Sequence, residues 1–253
     1  MSGFNKLAKS ISDTGSHLCV GLDPADGDVD RMRYIIKETH GYACAYKMNL
    51  AFYLGQDLEE VVDLFKWDMG DRPLILDAKW GDIENTADKY AYYAFITLNV
   101  DGVTINPYMG SDSIKAFSKY SDKFMFSLAY TSNPSSSIQR KMLDNGLDIG
   151  EEYATEAYHC GIDNNVGLVA GANPYKSYIH NVRREFPDAW ILVPGVGPQG
   201  GVLSTAVKGA SSGSDRFIIN AGRSILEAAS PRDMAMSYRD LINSYKETSS
   251  DSK

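Results

Sequence analysis

PLILDAKWGDI, residues 73 to 83, sets a short run of apolar residues against an abruptly charged end. An apolar run of this length bounded by polar residues fits a strand buried on both faces, the pattern of parallel sheets. Moving outward in both directions, similar runs recur: HLCVGLD (17–23), YACAYK (42–47), GVTINP (102–107), KFMFSLAY (123–130), VGLVAG (166–171), WILVPG (190–195) and RFIINAG (216–222). Most are separated by about 25 to 30 residues, the room a strand, a helix and two loops require. Several intervening segments show helical spacing, namely 50–65, 83–96, 113–120, 151–160 and 174–186, with a final helix over 231–245.

Eight strand–helix units predict a single-domain α/β fold, a closed (β/α)8 TIM barrel, with an amphipathic segment over 4–11 capping its bottom. The expected domain covers residues 1–247, and the polar residues 248–253 are expected to be a disordered tail. Strand count alone does not prove closure, so an open doubly wound sheet is the alternative.

The chain has 253 residues, with 25 Lys+Arg against 33 Asp+Glu and a formal net charge of -8. That balance argues against a sequence-independent grip on nucleic acid or an anionic membrane surface. No stretch approaches the roughly 20 apolar residues of a membrane helix, and the first residues lack a secretory apolar run, so a soluble, cytoplasmic protein is expected. Cys19, Cys44 and Cys160 are odd in number and widely spaced, which fits buried thiols rather than disulfides or a zinc site.

In a barrel, catalytic groups come from the carboxyl ends of different strands. Asp23 ends the first run, Lys47 the second, Asp77 and Lys79 the third and Asn106 the fourth, while Thr131 and Ser132 follow the fifth. Asp77 and Lys79, two apart on a strand, should point to the same side. Alone, Asp77-x-Lys79-x-x-Asp82 reads equally well as a salt-bridged strand end with Asp82 as a helix N-cap. Adding Lys47 from the neighbouring strand brings two lysines and two aspartates to one cleft, and buried ion pairs seldom repay their desolvation as stabilisers alone. VPGVGPQGG (193–201) and NAGRSI (220–225) form glycine-rich turns between strands and helices in the last two units, where barrels often bind phosphate. There Arg223 can hold phosphate through paired donors.

Asp77-x-Lys79-x-x-Asp82-Ile83, Lys47, the Pro194-to-Gly201 turn and Gly222-Arg223 together resemble the orotidine 5'-phosphate decarboxylase family, particularly its bacterial-type branch. GLDP (21–24), NPYMG (106–110) and TSNPSS (131–136) share the resemblance, which spans nearly the whole chain. It implies decarboxylation of orotidine 5'-monophosphate (OMP) to uridine 5'-monophosphate (UMP) and CO2 in pyrimidine biosynthesis, without metal or organic cofactor. By resemblance, Lys79 stabilises and protonates the C6 carbanion, and Asp77 lies near the substrate carboxylate and orients Lys79. Lys47 neutralises the carboxylates and Asp82 completes the alternating array. The same resemblance makes Asp23 a ribose ligand, Asn49 a ribose or phosphate neighbour, and Ser132 a reader of the pyrimidine edge. Pro194 opens the closing segment, while Gln199, Gly222 and Arg223 grip the phosphate. It further implies a homodimer in which Asp82, Ile83 and Thr86 enter the neighbouring subunit's site. Val202 departs from the acidic residue many relatives carry there.

Two other functions compete. A magnesium-dependent sugar-phosphate decarboxylase or epimerase of the same superfamily would carry an acidic residue where this chain has Lys47, whose charge would repel the metal. A non-catalytic nucleotide-phosphate-binding barrel would use the two glycine turns but leaves Lys47, Asp77, Lys79 and Asp82 without a purpose. His17, His40, His159 and His180 have no nucleophile beside them at the predicted rim and are expected to be structural. The same is expected of the Tyr90, Tyr92 and Tyr93 cluster.

Overall fold

The computed structural model describes residues 3–172, 178–197 and 202–250. Eight parallel strands close in sequence order: β1 (Leu18–Gly21), β2 (Ala45–Asn49), β3 (Leu74–Trp80), β4 (Gly102–Ile105), β5 (Phe124–Tyr130), β6 (Val166–Ala170), β7 (Ile191–Val193) and β8 (Phe217–Ala221), the last pairing with β1. The closed barrel removes the open-sheet alternative. Around it run α1 (Asn5–Thr14), α2 (Val29–Thr39), α3 (Leu58–Met69), α4 (Glu84–Tyr92), α5 (Ser111–Ser118), α6 (Ile149–His159), α7 (Tyr178–Glu185), α8 (Leu203–Ser211), α9 (Arg223–Leu226) and α10 (Pro231–Ser250).

Side-chain alternation divides the core. Tyr46 and Met48 of β2 and Leu74 and Leu76 of β3 face the helices, in one large apolar layer. Cys19, Ala45, Ile75, Phe124, Phe126, Leu192 and Ile218 fill the barrel's interior. Phe4, at the start of α1, completes that inner layer by stacking on Phe124 at 4.8 Å and on Trp190 at 5.0 Å. Burying an aromatic side chain contributes roughly 2 to 3 kcal/mol, so α1 is held as a plug rather than a loose arm. The expected bottom cap is therefore present.

Capping residues set several helix starts. Asp28 accepts a hydrogen bond from the Arg31 amide and starts α2, a helix the apolar spacing had not singled out; α8 was likewise not anticipated. Asp57 does the same for α3 from the Glu60 amide, so that helix begins at Leu58 rather than at residue 50. Asp148 and Glu151 form a reciprocal capping box at α6. The segment predicted as one helix over 83–96 ends its regular part at Tyr92 and continues as a wider turn over Tyr93–Thr97. α10 extends past residue 245 to Ser250, so helix continues into the segment expected to be a disordered tail; residues 251–253 lie outside the described part.

Candidate active site

Barrel registration brings charged strand ends together. Asn49 pairs with Asp77, Lys47 pairs with Ile75 and with Gly21, and alternation turns Lys47, Asn49 and Asp77 inward. Lys47 Nζ lies 2.6 Å from Asp77 Oδ2 and 3.9 Å from Asp23 Oδ2. Lys79 Nζ lies 2.6 Å from the other Asp77 oxygen, Oδ1. Asp77 is thus bracketed by two ammonium groups, one from below and one from the mouth. The Lys47 side chain is 4% exposed and that of Lys79 is 45% exposed, so Lys79 is the cation an incoming ligand meets.

Burial works against the charges of Asp77 and Lys47. It would raise the Asp77 pKa, but the neighbouring Lys47 and Lys79 outweigh it and hold the carboxyl well below the usual carboxylate range. Burial likewise would lower Lys47, and the carboxylates of Asp77 and Asp23 more than reverse that. Deeper in the barrel, burial pushes the Cys19 thiol up to about 12, leaving it protonated and inert.

Strand β3 does not keep simple alternation through this cluster. Its pairing with β4 shifts register between Leu76 and Trp80, and Lys79 adopts φ +49°, in the left-handed region. For a residue with a Cβ this costs of order 1 to 3 kcal/mol, and such costs concentrate at sites where geometry matters. The ammonium and carboxylate of Lys79 and Asp77 still meet, but through a bulge rather than through two-residue strand spacing. Thr104, on β4, sits at this bulge: its hydroxyl accepts from the Lys79 amide at 3.0 Å and donates to Asp77 Oδ1 at 2.7 Å. Sequence reasoning had not picked out Thr104, although it is the sole hydroxyl in the apolar run GVTI.

The other predicted residues surround the cluster. Asp23 Oδ1 accepts from the Asn49 amide at 3.0 Å, and the Asn49 side chain accepts from the Ala51 amide at 3.1 Å. Asp82 Oδ1 accepts from the adjacent Ile83 amide at 2.8 Å, but Ile83 and not Asp82 is the N-cap of α4, which has no side-chain cap, so the N-cap expected at Asp82 is not formed. Its carboxylate forms no ion pair with Lys47 or Lys79 among the described residues. Ile83 is 62% exposed and Thr86 lies in the first turn of α4. Trp80, at the end of β3, stacks on Tyr90 at 4.9 Å, placing that tyrosine against its own barrel.

At β8, Gly222 and Gly21 pass so closely that a Cβ on Gly21 would stand 3.2 Å from the Gly222 Cα. Since Gly21 pairs with Lys47, and adjacent strands lie about 4.8 Å apart, the Gly222 turn sits on the same rim roughly 10 Å from Lys47. Arg223 follows it, exposed, as the first residue of α9. Pro194 leaves β7 and its carbonyl accepts from the Ala172 amide at 2.8 Å. Gln199 lies outside the described residues. Ser132 follows β5, and a Cβ at Gly171 would stand 2.6 Å from its amide nitrogen, so only glycine allows that approach. Among the described residues no three His, Cys, Asp or Glu side chains gather in a metal-ligating group. No helix among them is long and apolar enough to cross a membrane.

A family model described as orotidine 5'-phosphate decarboxylase / HUMPS family matches residues 16–238. The chain belongs to this family. It is 38% identical to the orotidine 5'-phosphate decarboxylase of Roseiflexus castenholzii, over 96% of this chain and 98% of that protein. The structure of Leishmania donovani OMP decarboxylase is 36% identical, with a TM-score of 0.86 over 98% of this chain and all of its own. Leishmania donovani UMP synthase is 38% identical with a TM-score of 0.88, and there the chain covers 97% of itself but 57% of the longer protein.

Proposed function

We propose that this protein decarboxylates OMP to UMP and CO2 in pyrimidine biosynthesis, using its own side chains without metal or organic cofactor. The observation that carries this is the Lys47–Asp77–Lys79 array, in which a buried carboxylate is shared by two ammonium groups at 2.6 Å each. A binding barrel for phosphate needs no such array, and a magnesium site needs oxygen donors where Lys47 presents a cation.

The chemistry follows from charge. Breaking the bond between C6 of the pyrimidine and its carboxylate leaves the electron pair on C6, where the ring does not delocalise it. Lys79, the exposed cation of the pair, offsets that developing charge and then transfers a proton to C6; the neutral amine recovers its proton from solvent. Two unit charges about 4 Å apart at an effective dielectric near 20 interact by roughly 4 kcal/mol, and about 1.4 kcal/mol is a tenfold change in rate. One placed ammonium can therefore contribute about three decades. Asp77 holds the Lys79 ammonium aimed, and its carboxylate beside that of the substrate adds repulsion relieved as CO2 departs. Lys47 keeps Asp77 ionised and reaches the ribose.

The remaining assignments complete the nucleotide site. Asp23 and Asn49 bind the ribose, Ser132 the pyrimidine edge, and Gln199, Gly222 and Arg223 the phosphate, with Pro194 opening the segment that closes over them. Binding energy from the phosphate, held away from the reacting carbon, drives closure and exclusion of water. Asp82, Ile83 and Thr86 serve the neighbouring subunit of a homodimer. The exposure of Ile83 at 62% and the lack of an ion pair from Asp82 to Lys47 or Lys79 among the described residues support a partner-facing edge. Residues 1–247 form one catalytic unit, working in the cytoplasm, and residues 248–253 are dispensable for it.

The test is the fall in ultraviolet absorbance as OMP is converted, with CO2 collected. Turnover undiminished in EDTA is expected. No conversion of OMP by folded protein overturns the proposal, and abolition of turnover by EDTA returns the magnesium chemistry.

A further inference from the structure

We propose that Thr104 is a positioning residue that fixes Asp77 and Lys79 in their working geometry through one hydroxyl, an inference that rests on the decarboxylase function above. Its direction is set by elementary donor chemistry. The Lys79 amide can only donate, so Thr104 Oγ1 accepts from it at 3.0 Å. Asp77 is ionised and can only accept, so the hydroxyl's single proton goes to Asp77 Oδ1 at 2.7 Å. The same Oδ1 receives the Lys79 ammonium at 2.6 Å. A closed ring results, from the carboxylate oxygen through the ammonium and backbone of Lys79 to Thr104 and back.

The ring forms where β3 leaves regular pairing. The Lys79 amide cannot make an ordinary ladder bond in a bulged strand with φ +49°, and an unpaired amide there would favour relaxation to an extended backbone. That relaxation would swing the ammonium away from the carboxylate that aims it. Thr104 is 1% exposed and packs inside the barrel one strand from β3, so water does not substitute for its hydroxyl. Asp77 Oδ2 is taken by Lys47, which leaves Oδ1 as the oxygen whose orientation Thr104 and Lys79 set together. Thr104 itself touches no reacting atom. It acts by holding the other two.

The experiment compares Thr104→Val, which keeps the shape and removes the hydroxyl, with Thr104→Ser, which keeps the hydroxyl. The valine variant should lose about 10²-fold in kcat, the scale of a misplaced reacting group, with KM changed little. The serine variant should recover most of it. Independently of turnover, hydrogen exchange at the Lys79 amide should quicken by about tenfold or more in the valine variant, with neighbouring strand amides unchanged. A folded valine variant with wild-type kcat, or a serine variant as impaired as valine, overturns the proposal. Unchanged Lys79 exchange in the valine variant overturns it too, and that readout stands even if the wild-type protein fails to convert OMP, a result that counts against the decarboxylase function alone.

Discussion

Lys47 and Lys79 never touch each other, yet each places its ammonium 2.6 Å from a different oxygen of one carboxylate, that of Asp77. The two contacts differ in setting: the first is closed off from solvent, the second stands open at the mouth. This asymmetry divides the cluster into a permanent foundation and a working end, and each makes a separate prediction.

Removing the working end should abolish chemistry and spare binding. Lys79→Ala is expected to lower kcat by about 10³-fold or more, the scale of one charge aimed at the transition state. UMP affinity should be partly retained, because the residues proposed for the ribose and phosphate lie elsewhere. Single-turnover decarboxylation alongside UMP titration checks this, and substantial turnover in the variant would remove Lys79 from its role.

Removing the foundation should damage the fold as well. Lys47→Met leaves Asp77 buried with its Oδ2 unpaired, and deleting one partner of a buried ion pair costs about 3 to 5 kcal/mol. Lys79 still holds Oδ1, so the lower figure is expected. Denaturant unfolding measures the loss, and the double variant Lys47→Met, Asp77→Leu should regain part of it while staying inactive.

The pH dependence of turnover follows from the same pair. The Asp77 carboxyl is held below its ordinary range, so its ionised form and the stability linked to it persist above pH 4 and fail only in stronger acid. Lys47 is held above its ordinary range and keeps its proton through pH 9. Neither group should bend kcat/KM between about pH 5 and 9, and an acid limb near 6 should instead report the second ionisation of the substrate phosphate. A limb centred near pH 4 would show Asp77 titrating normally.

At the opposite end of the barrel, His17 predicts an acid sensitivity of the fold. Its Nδ1 lies 2.9 Å from the Phe217 carbonyl, which can only accept, so Nδ1 carries the proton and Nε2 faces the Lys246 ammonium at 3.2 Å. Burial first, and Lys246 with it, lower the His17 pKa to about 4. The unfolded chain therefore binds a proton the fold refuses, and stability should fall as pH drops from 6.5 to 4, by up to roughly 3 kcal/mol. Thermal unfolding across that range checks it. His17→Gln should flatten the slope without changing turnover at pH 7.

How much of this was legible beforehand depended on whether the signal was local. The eight apolar runs and their charged ends could be read because a strand buried on both faces has to be apolar along its length, and β2 and β3 expose their exceptions, Lys47 and Asp77, in plain view. α2 was legible in principle, since Met32, Ile35, Ile36 and Thr39 recur at helical spacing with Asp30 and Arg31 on the exposed side, but its stripe is short, and Asp28 gives its start only once the N-cap geometry is known. The bulge at Lys79 was illegible: strand alternation put it beside Asp77, the right neighbour by the wrong route, and nothing local announces a left-handed lysine, whose amide is held by Thr104 of β4 from 25 residues away. Arg183 was equally hidden. Its guanidinium is buried and donates to the carbonyls of Ala210, Phe186, Pro187, Ala189 and Arg216, a tertiary role that looks in sequence like an ordinary surface arginine.

Phe4, wedged between Phe124 and Trp190, seals the floor of the barrel. A barrel whose interior is filled with side chains down to that floor has a single doorway. Whatever enters to react must leave by the way it came, so a gas released beneath a bound nucleotide has to slip past what remains of it or wait until it goes, and the order of departure becomes a property of the packed floor as much as of the chemistry.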